Sequence, residues 1–127
     1  PMKLGAIVLD SNNSDELASF YQKLLGWKKT RYDDEWIIVS SENGEGTPLV
    51  FQENKNYKKP IWPSKSGEQQ QMIHLDFYVD HVEEAIKHAL SCGAQVSEVQ
   101  LSNDWQVLLD PAGHPFCILP STSPAKK

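Results

Sequence analysis

A strand, an amphipathic helix and an apolar hairpin occur twice in this 127-residue chain, at an offset of 67 or 68 residues, and that repetition restricts the available folds more than any other feature. The clearer hairpin is WQVLLDPAGHPFCIL, Trp105 to Leu119. It reads as an apolar strand over 105–109, a tight turn on Asp110-Pro111-Ala112-Gly113 and a second apolar strand over 116–119. Pro presets φ in such a turn and Gly tolerates positive φ. Trp36 to Ser40 and Leu49 to Glu53 repeat the pattern around a longer turn, Ser41 to Pro48. Aligned on their punctuation, the copies set Gly26 against Gly93, Ala18 against Ala85 and Ala6 against His74. With a gap in the hairpin, Phe51-Gln52 falls opposite Phe116-Cys117. Each copy alone would expose an apolar sheet face, so two must pair, within the chain or between chains.

Within the first copy, Leu4 to Leu9 is a short apolar run of the kind that forms a buried strand. Ser14 is the expected N-cap of a helix, with Asp15 and Glu16 in its first turn. Leu17, Phe20, Tyr21, Leu24 and Leu25 then give one apolar face, and Gly26 ends the helix. In the second copy, Met72 to Val79 alternates as a strand should, Asp80-His81 breaks it, and Val82, Ala85, Ile86, Ala89 and Leu90 mark a second helix ending at Cys92-Gly93. Gln95 to Leu101 follows as an expected strand. The division is a first module over 2–53, a connection over 54–71, a second module over 72–120 and a polar tail over 121–127. Pro1, ahead of Met2, stands outside the fold argument. In the connection, Tyr57, Ile61 and Trp62 are out of character for a free linker, which predicts that its middle docks on a surface.

Composition narrows the partners. A net charge of −5 with scattered Lys pairs lacks the basic stripe of a nucleic-acid binder. No apolar run approaches the ~18 residues that span a bilayer, and no secretory leader pattern is present, so the expected setting is cytoplasmic. Two cysteines, Cys92 and Cys117, make no disulfide framework and read as reduced thiols.

The doubled β-α-β-β-β unit, the "LGW" helix ending, the "HLDFYVDHVEEA" junction, the "WPSKSGEQQQMIHLDFYV" approach and "DPAGHPFCIL" together resemble the vicinal oxygen chelate superfamily of glyoxalase I, bleomycin-resistance and extradiol dioxygenase proteins, in its glyoxalase-like group. The resemblance covers nearly the whole chain. It implies an α+β fold in which two βαβββ modules pair into a curved mixed sheet around a cleft whose floor can carry a divalent metal, and a homodimer as the expected assembly.

Metal-using members of that superfamily offer one ligand from the first strand and one from the last strand of each module, usually His or Gln first and Glu last. Carried over by position, those sites here are Ala6, His74, Gln52 and Cys117. Ala6 cannot coordinate, Gln52 is a weak neutral donor, and Cys117 stands where a carboxylate is expected. The ligand count therefore favours no resident cofactor; a divalent ion, if held, would use His74 with Gln52 and Cys117. Asp76 alternates onto the face of His74 and reads equally as a cleft acid or as an outward ion-pairing residue. His114, beside the turn glycine, reads as structural, and a Cys117–His74 nucleophile pair lacks an orienting third residue.

Trp36, Trp62 and Trp105 supply aromatic walls suited to a flat organic ligand. The function expected is metal-independent small-molecule binding of the antibiotic-sequestering type, through a cleft of Gln52, His74, Cys117, Trp36, Trp62 and Trp105. The alternative is a metal-dependent lyase or transferase of the glyoxalase I or fosfomycin-resistance kind.

Overall fold

A helix between the first and second strands of each copy supplies the long crossover that parallel pairing within one sheet needs, and in each copy the first strand lies parallel to the last. The computed structural model, in which residues 1–33 and 35–122 are described, has this topology in both halves. The chain divides into two compact units, 1–57 and 58–127. The part of the expected tail from Ser123 onward lies outside the described residues.

The first unit runs β1 (Ile7–Ser11), α1 (Ser14–Leu25), β2 (Lys28–Arg31), β3 (Trp36–Ser40) and β4 (Leu49–Glu53), in sheet order β1-β4-β3-β2. β1 lies parallel to β4 and the other pairs are antiparallel. Alternation sends Ile37, Val39, Leu49 and Phe51 to one face, where they are buried with Leu17, Ala18, Phe20 and Tyr21 of α1. Tyr21 stacks on Phe51 with ring centroids 5.6 Å apart and planes at 21°.

Two expectations shift here. Asn13, not Ser14, is the N-cap: its Oδ1 accepts from Glu16 N at 3.2 Å. Ser14 becomes the first helical residue and donates through both N and Oγ to Glu53 Oε1, each at 2.9 Å. A carboxylate from β4 thus satisfies a helix N-terminus that the sequence alone would close locally. β1 also starts at Ile7 and not Leu4, because its parallel ladder begins where β4 begins, at the pair Ile7 and Leu49. Gly26 ends α1 at φ +66°, with its N–H donating to Gln22 O.

The second unit runs β5 (Leu75–Val79), α2 (Val82–Cys92), β6 (Gln95–Val96), β7 (Gln106–Leu109) and β8 (Pro115–Pro120), in order β5-β8-β7-β6. β5 is parallel to β8, and the other pairs are antiparallel. β5 starts three residues later than the alternation predicts. Its partner β8 begins at Pro115, and Met72 and Ile73 lie exposed beyond the ladder.

The predicted strand over 95–101 is also cut short. After Ser97 N donates to Val107 O at 3.0 Å, the side-chain amide of Gln100 takes the place of the backbone: Val107 N donates to Gln100 Oε1 at 2.8 Å, and Gln100 Nε2 donates to Val107 O at 3.0 Å and Ser97 O at 2.8 Å. A primary amide carries the same donor and acceptor as a peptide, so it closes the ladder without strand geometry. Among the described residues no helix is long and apolar enough to cross a membrane.

The hairpin turn is held by Asp110, which is 4% exposed. Its Oδ1 accepts from Ala112 N at 2.9 Å and His114 N at 3.0 Å, and its Oδ2 lies 2.8 Å from His114 Nδ1. His114 therefore serves the turn. Gly113 sits at φ +89° with the aliphatic chain of Lys59 against it, so that a β-carbon there would lie 2.5 Å from Lys59 Cγ.

Candidate functional site

In the second unit, the strand pleat turns Phe77 and Phe116 to one face, where their rings meet edge to face with centroids 5.7 Å apart. The opposite face carries Asp76 on β5, Val107 on β7, and Cys117 and Leu119 on β8, with His74 just before β5. The connecting segment covers part of that face: Trp62 packs against Val107, Cys117 and Leu119. Its docking explains why the segment carries an indole at Trp62. Trp62 Nε1 is buried with no hydrogen-bond partner among the described residues. Such an orphan donor costs about 1–3 kcal/mol, which the packed indole must offset.

What remains open is a cavity of about 240 Å³. His74, Asp76 and Cys117 form its polar floor, and Trp62 and Trp105 stand in its wall. The remaining lining is apolar, from Leu101, Val107, Pro115 and Leu119.

The floor is organised around Asp76. His74 Nε2 lies 3.1 Å from Asp76 Oδ1, and Cys117, the cross-strand partner of Asp76, hydrogen-bonds to the same carboxylate. Burial pushes the Cys117 thiol up, and the adjacent Asp76 charge and hydrogen bond add to it, to about 11 from 9.0. The group is therefore a thiol at neutral pH and a poor nucleophile. His74 and Asp76 are partly exposed, their side chains 42% and 36% accessible, whereas Cys117 is buried.

Four of the six residues expected to form the cleft, His74, Cys117, Trp62 and Trp105, meet here. The other two, Trp36 and Gln52, belong to the first unit, where they are cross-strand partners on β3 and β4. Strand register corrects the repeat alignment that made Gln52 the counterpart of Cys117. Counting back from the strand ends that precede each helix, Asp76 and Cys117 occupy the third rung before the pair Val79 and Pro120. The third rung before Ser11 and Glu53 is Val8 and Val50. Gln52 thus corresponds to Leu119. The hairpins differ in length, and matching their phenylalanines placed the gap two residues off.

The same geometry brings in Asp76, which completes a group of three potential donors. One ligand atom each from His74, Asp76 and Cys117 lies within 4.8 Å of the others. An imidazole, a carboxylate and a sulfur suit a borderline ion such as zinc by type, provided the thiol gives up its proton. The signal available in the sequence was the i, i+2 spacing of His74 and Asp76.

Solved structures share this architecture across nearly the whole chain. A glyoxalase/bleomycin resistance protein/dioxygenase family enzyme from Burkholderia phytofirmans PsJN superposes with a TM-score of 0.68 at 17% identity, covering 94% of this chain and 99% of that one. The trypanothione-dependent glyoxalase I of Leishmania major gives 0.67 at 16% identity, covering 99% and 91%. A hypothetical protein from S. aureus gives 0.64 at 18%, covering 94% of each. At such identities the likeness concerns the fold alone. No curated protein matches the sequence. The sequence pattern of the glyoxalase-like domain, however, matches residues 6–119, and the chain belongs to that family, within the vicinal oxygen chelate superfamily.

Proposed function

We propose that this glyoxalase-like protein binds a small organic molecule in the second-unit cavity and does so without a metal. The observation that carries the reading is the state of the floor. Asp76 is engaged by His74 and by a Cys117 thiol whose proton is held to about 11, inside a cavity otherwise walled by indoles and aliphatic side chains. A site of this kind gains affinity from buried apolar area and takes its orientation from a few polar groups. Sequestration of an antibiotic-like compound is the form of binding we favour, and a homodimer in the cytoplasm remains the expected setting.

A second reading has its own support. The convergence of His74, Asp76 and Cys117 within 4.8 Å could hold zinc, which would supply Lewis-acid polarisation of a substrate oxygen, as a lyase or transferase of the glyoxalase I kind requires. In that case His74 and Asp76 would orient the ion, and the apolar wall would exclude water from it.

Calorimetric zinc titration of the metal-stripped protein at pH 7, repeated on His74→Ala, separates the two. Binding without metal predicts no stoichiometric uptake at micromolar zinc, together with quenching of tryptophan fluorescence by cavity ligands that His74→Ala weakens. One tightly bound zinc per chain, lost in His74→Ala, would put the metal-dependent reading first.

A further inference from the structure

The cavity also carries information about the charge and size of its occupant. Asp76 is the charged centre of the floor: in its neutral form His74 offers only a hydrogen bond, and Cys117 offers a thiol proton. Among the described residues that line the cavity, none is Lys or Arg. An anionic ligand would meet the Asp76 carboxylate with no compensating Lys or Arg in the lining. A cation would meet a carboxylate that is 36% accessible. It would also meet two indoles, the aromatic groups most attractive to cations and to flat rings alike.

Size narrows the class. An apolar cavity of roughly 150 Å³ accommodates a benzene. At about 240 Å³ this one seats a single ring with a short side chain.

We propose that the second-unit cavity selects a monocationic ligand built on one flat apolar ring, an arylalkylammonium in chemical class, with its ammonium group on Asp76 and its ring between Trp62 and Trp105. This rests on the reading of the cavity as a small-molecule site. It adds the charge of the ligand, which that reading leaves open.

The test compares three probes of matched shape, 2-phenylethylammonium, 2-phenylethanol and 3-phenylpropionate, by calorimetry and tryptophan fluorescence at pH 8. It uses the unaltered protein first, so that its outcome does not depend on a variant folding, and then Asp76→Asn and Asp76→Glu. The expected result is ammonium binding at least about tenfold tighter than the alcohol, with the carboxylate weakest. That preference should fall to about onefold in Asp76→Asn and persist in part in Asp76→Glu. Alcohol binding as tight as the ammonium, or an ammonium preference that survives Asp76→Asn, would overturn the charge assignment while leaving small-molecule binding in place. If none of the three probes binds the unaltered protein, the single-ring ammonium assignment falls.

Discussion

Cys117 offers the sharpest check on the chemistry of the floor. With burial, the Asp76 charge and a hydrogen bond all favouring the protonated form, its thiol titrates near 11 instead of 9.0. At pH 8 a thiol at 9.0 is ~10% ionised and one at 11 only ~0.1%, about a hundredfold less thiolate. A more basic thiolate is intrinsically more nucleophilic by roughly tenfold over two units, so the net rate of alkylation at pH 8 should fall about tenfold relative to an equally accessible ordinary thiol. The assay is iodoacetamide labelling followed by mass spectrometry on a Cys92→Ser background, from pH 7 to 10.5. The logarithm of the rate should climb with unit slope through pH 10 without levelling. Asp76→Asn should bring the midpoint down only part of the way, because burial, the largest cause, remains. The same shift affects stability. The native state holds this proton more tightly than the unfolded chain, so its contribution is complete below pH 9 and is lost as pH rises towards 11. A labelling profile that levels off at or below pH 9 would refute the account and reopen Cys117 as a nucleophile or thiolate ligand.

Three further changes probe the framework around the cavity. Asp110→Ala strips the buried turn carboxylate from Ala112 N, His114 N and His114 Nδ1, and should cost about 3 kcal/mol in denaturant unfolding; a loss under about 1 kcal/mol would mean that water replaces it freely. Gly113→Ala should cost about 1–3 kcal/mol and exceed the cost of Gly46→Ala, since both glycines have positive φ but only Gly113 has Lys59 packed over it; equal melting temperatures would remove that contact from the argument. Gln100→Ala deletes the amide that closes the β7 edge, and should cost about 1–3 kcal/mol while raising hydrogen exchange at the Val107 amide above that of its neighbours. An unchanged Val107 exchange rate would show that the backbone closes the edge without it.

Much of the fold could be read from residue order. Gly26 and Gly93 end the two helices as expected, Trp36–Ser40 and Leu49–Glu53 keep their expected bounds, and the Asp-Pro-Ala-Gly turn lies where its residues demand. These are local matters, decided by φ preferences and by side-chain periodicity within a few residues. The doubled unit was equally legible, because each copy carries its own punctuation. Strand ends were not. β1, β5 and β6 stop or start where a partner strand permits, and in the last case a glutamine amide replaces the backbone.

The site shows the same split more sharply. Sequence by itself determined the family, the face on which His74 and Asp76 lie, and the poverty of metal donors at Ala6. Only the tertiary structure decided that Asp76 faces Cys117 across a parallel rung, and that Val50, not Gln52, is the counterpart of Cys117. It also decided that Trp62, from an aperiodic connection, packs over Cys117. Alternation states which side of a strand a residue faces, but register states which residue faces it, and register depends on partners 41 residues apart in the chain. The elevated thiol of Cys117 follows from that rung, since burial and a neighbouring carboxylate are properties of the folded sheet.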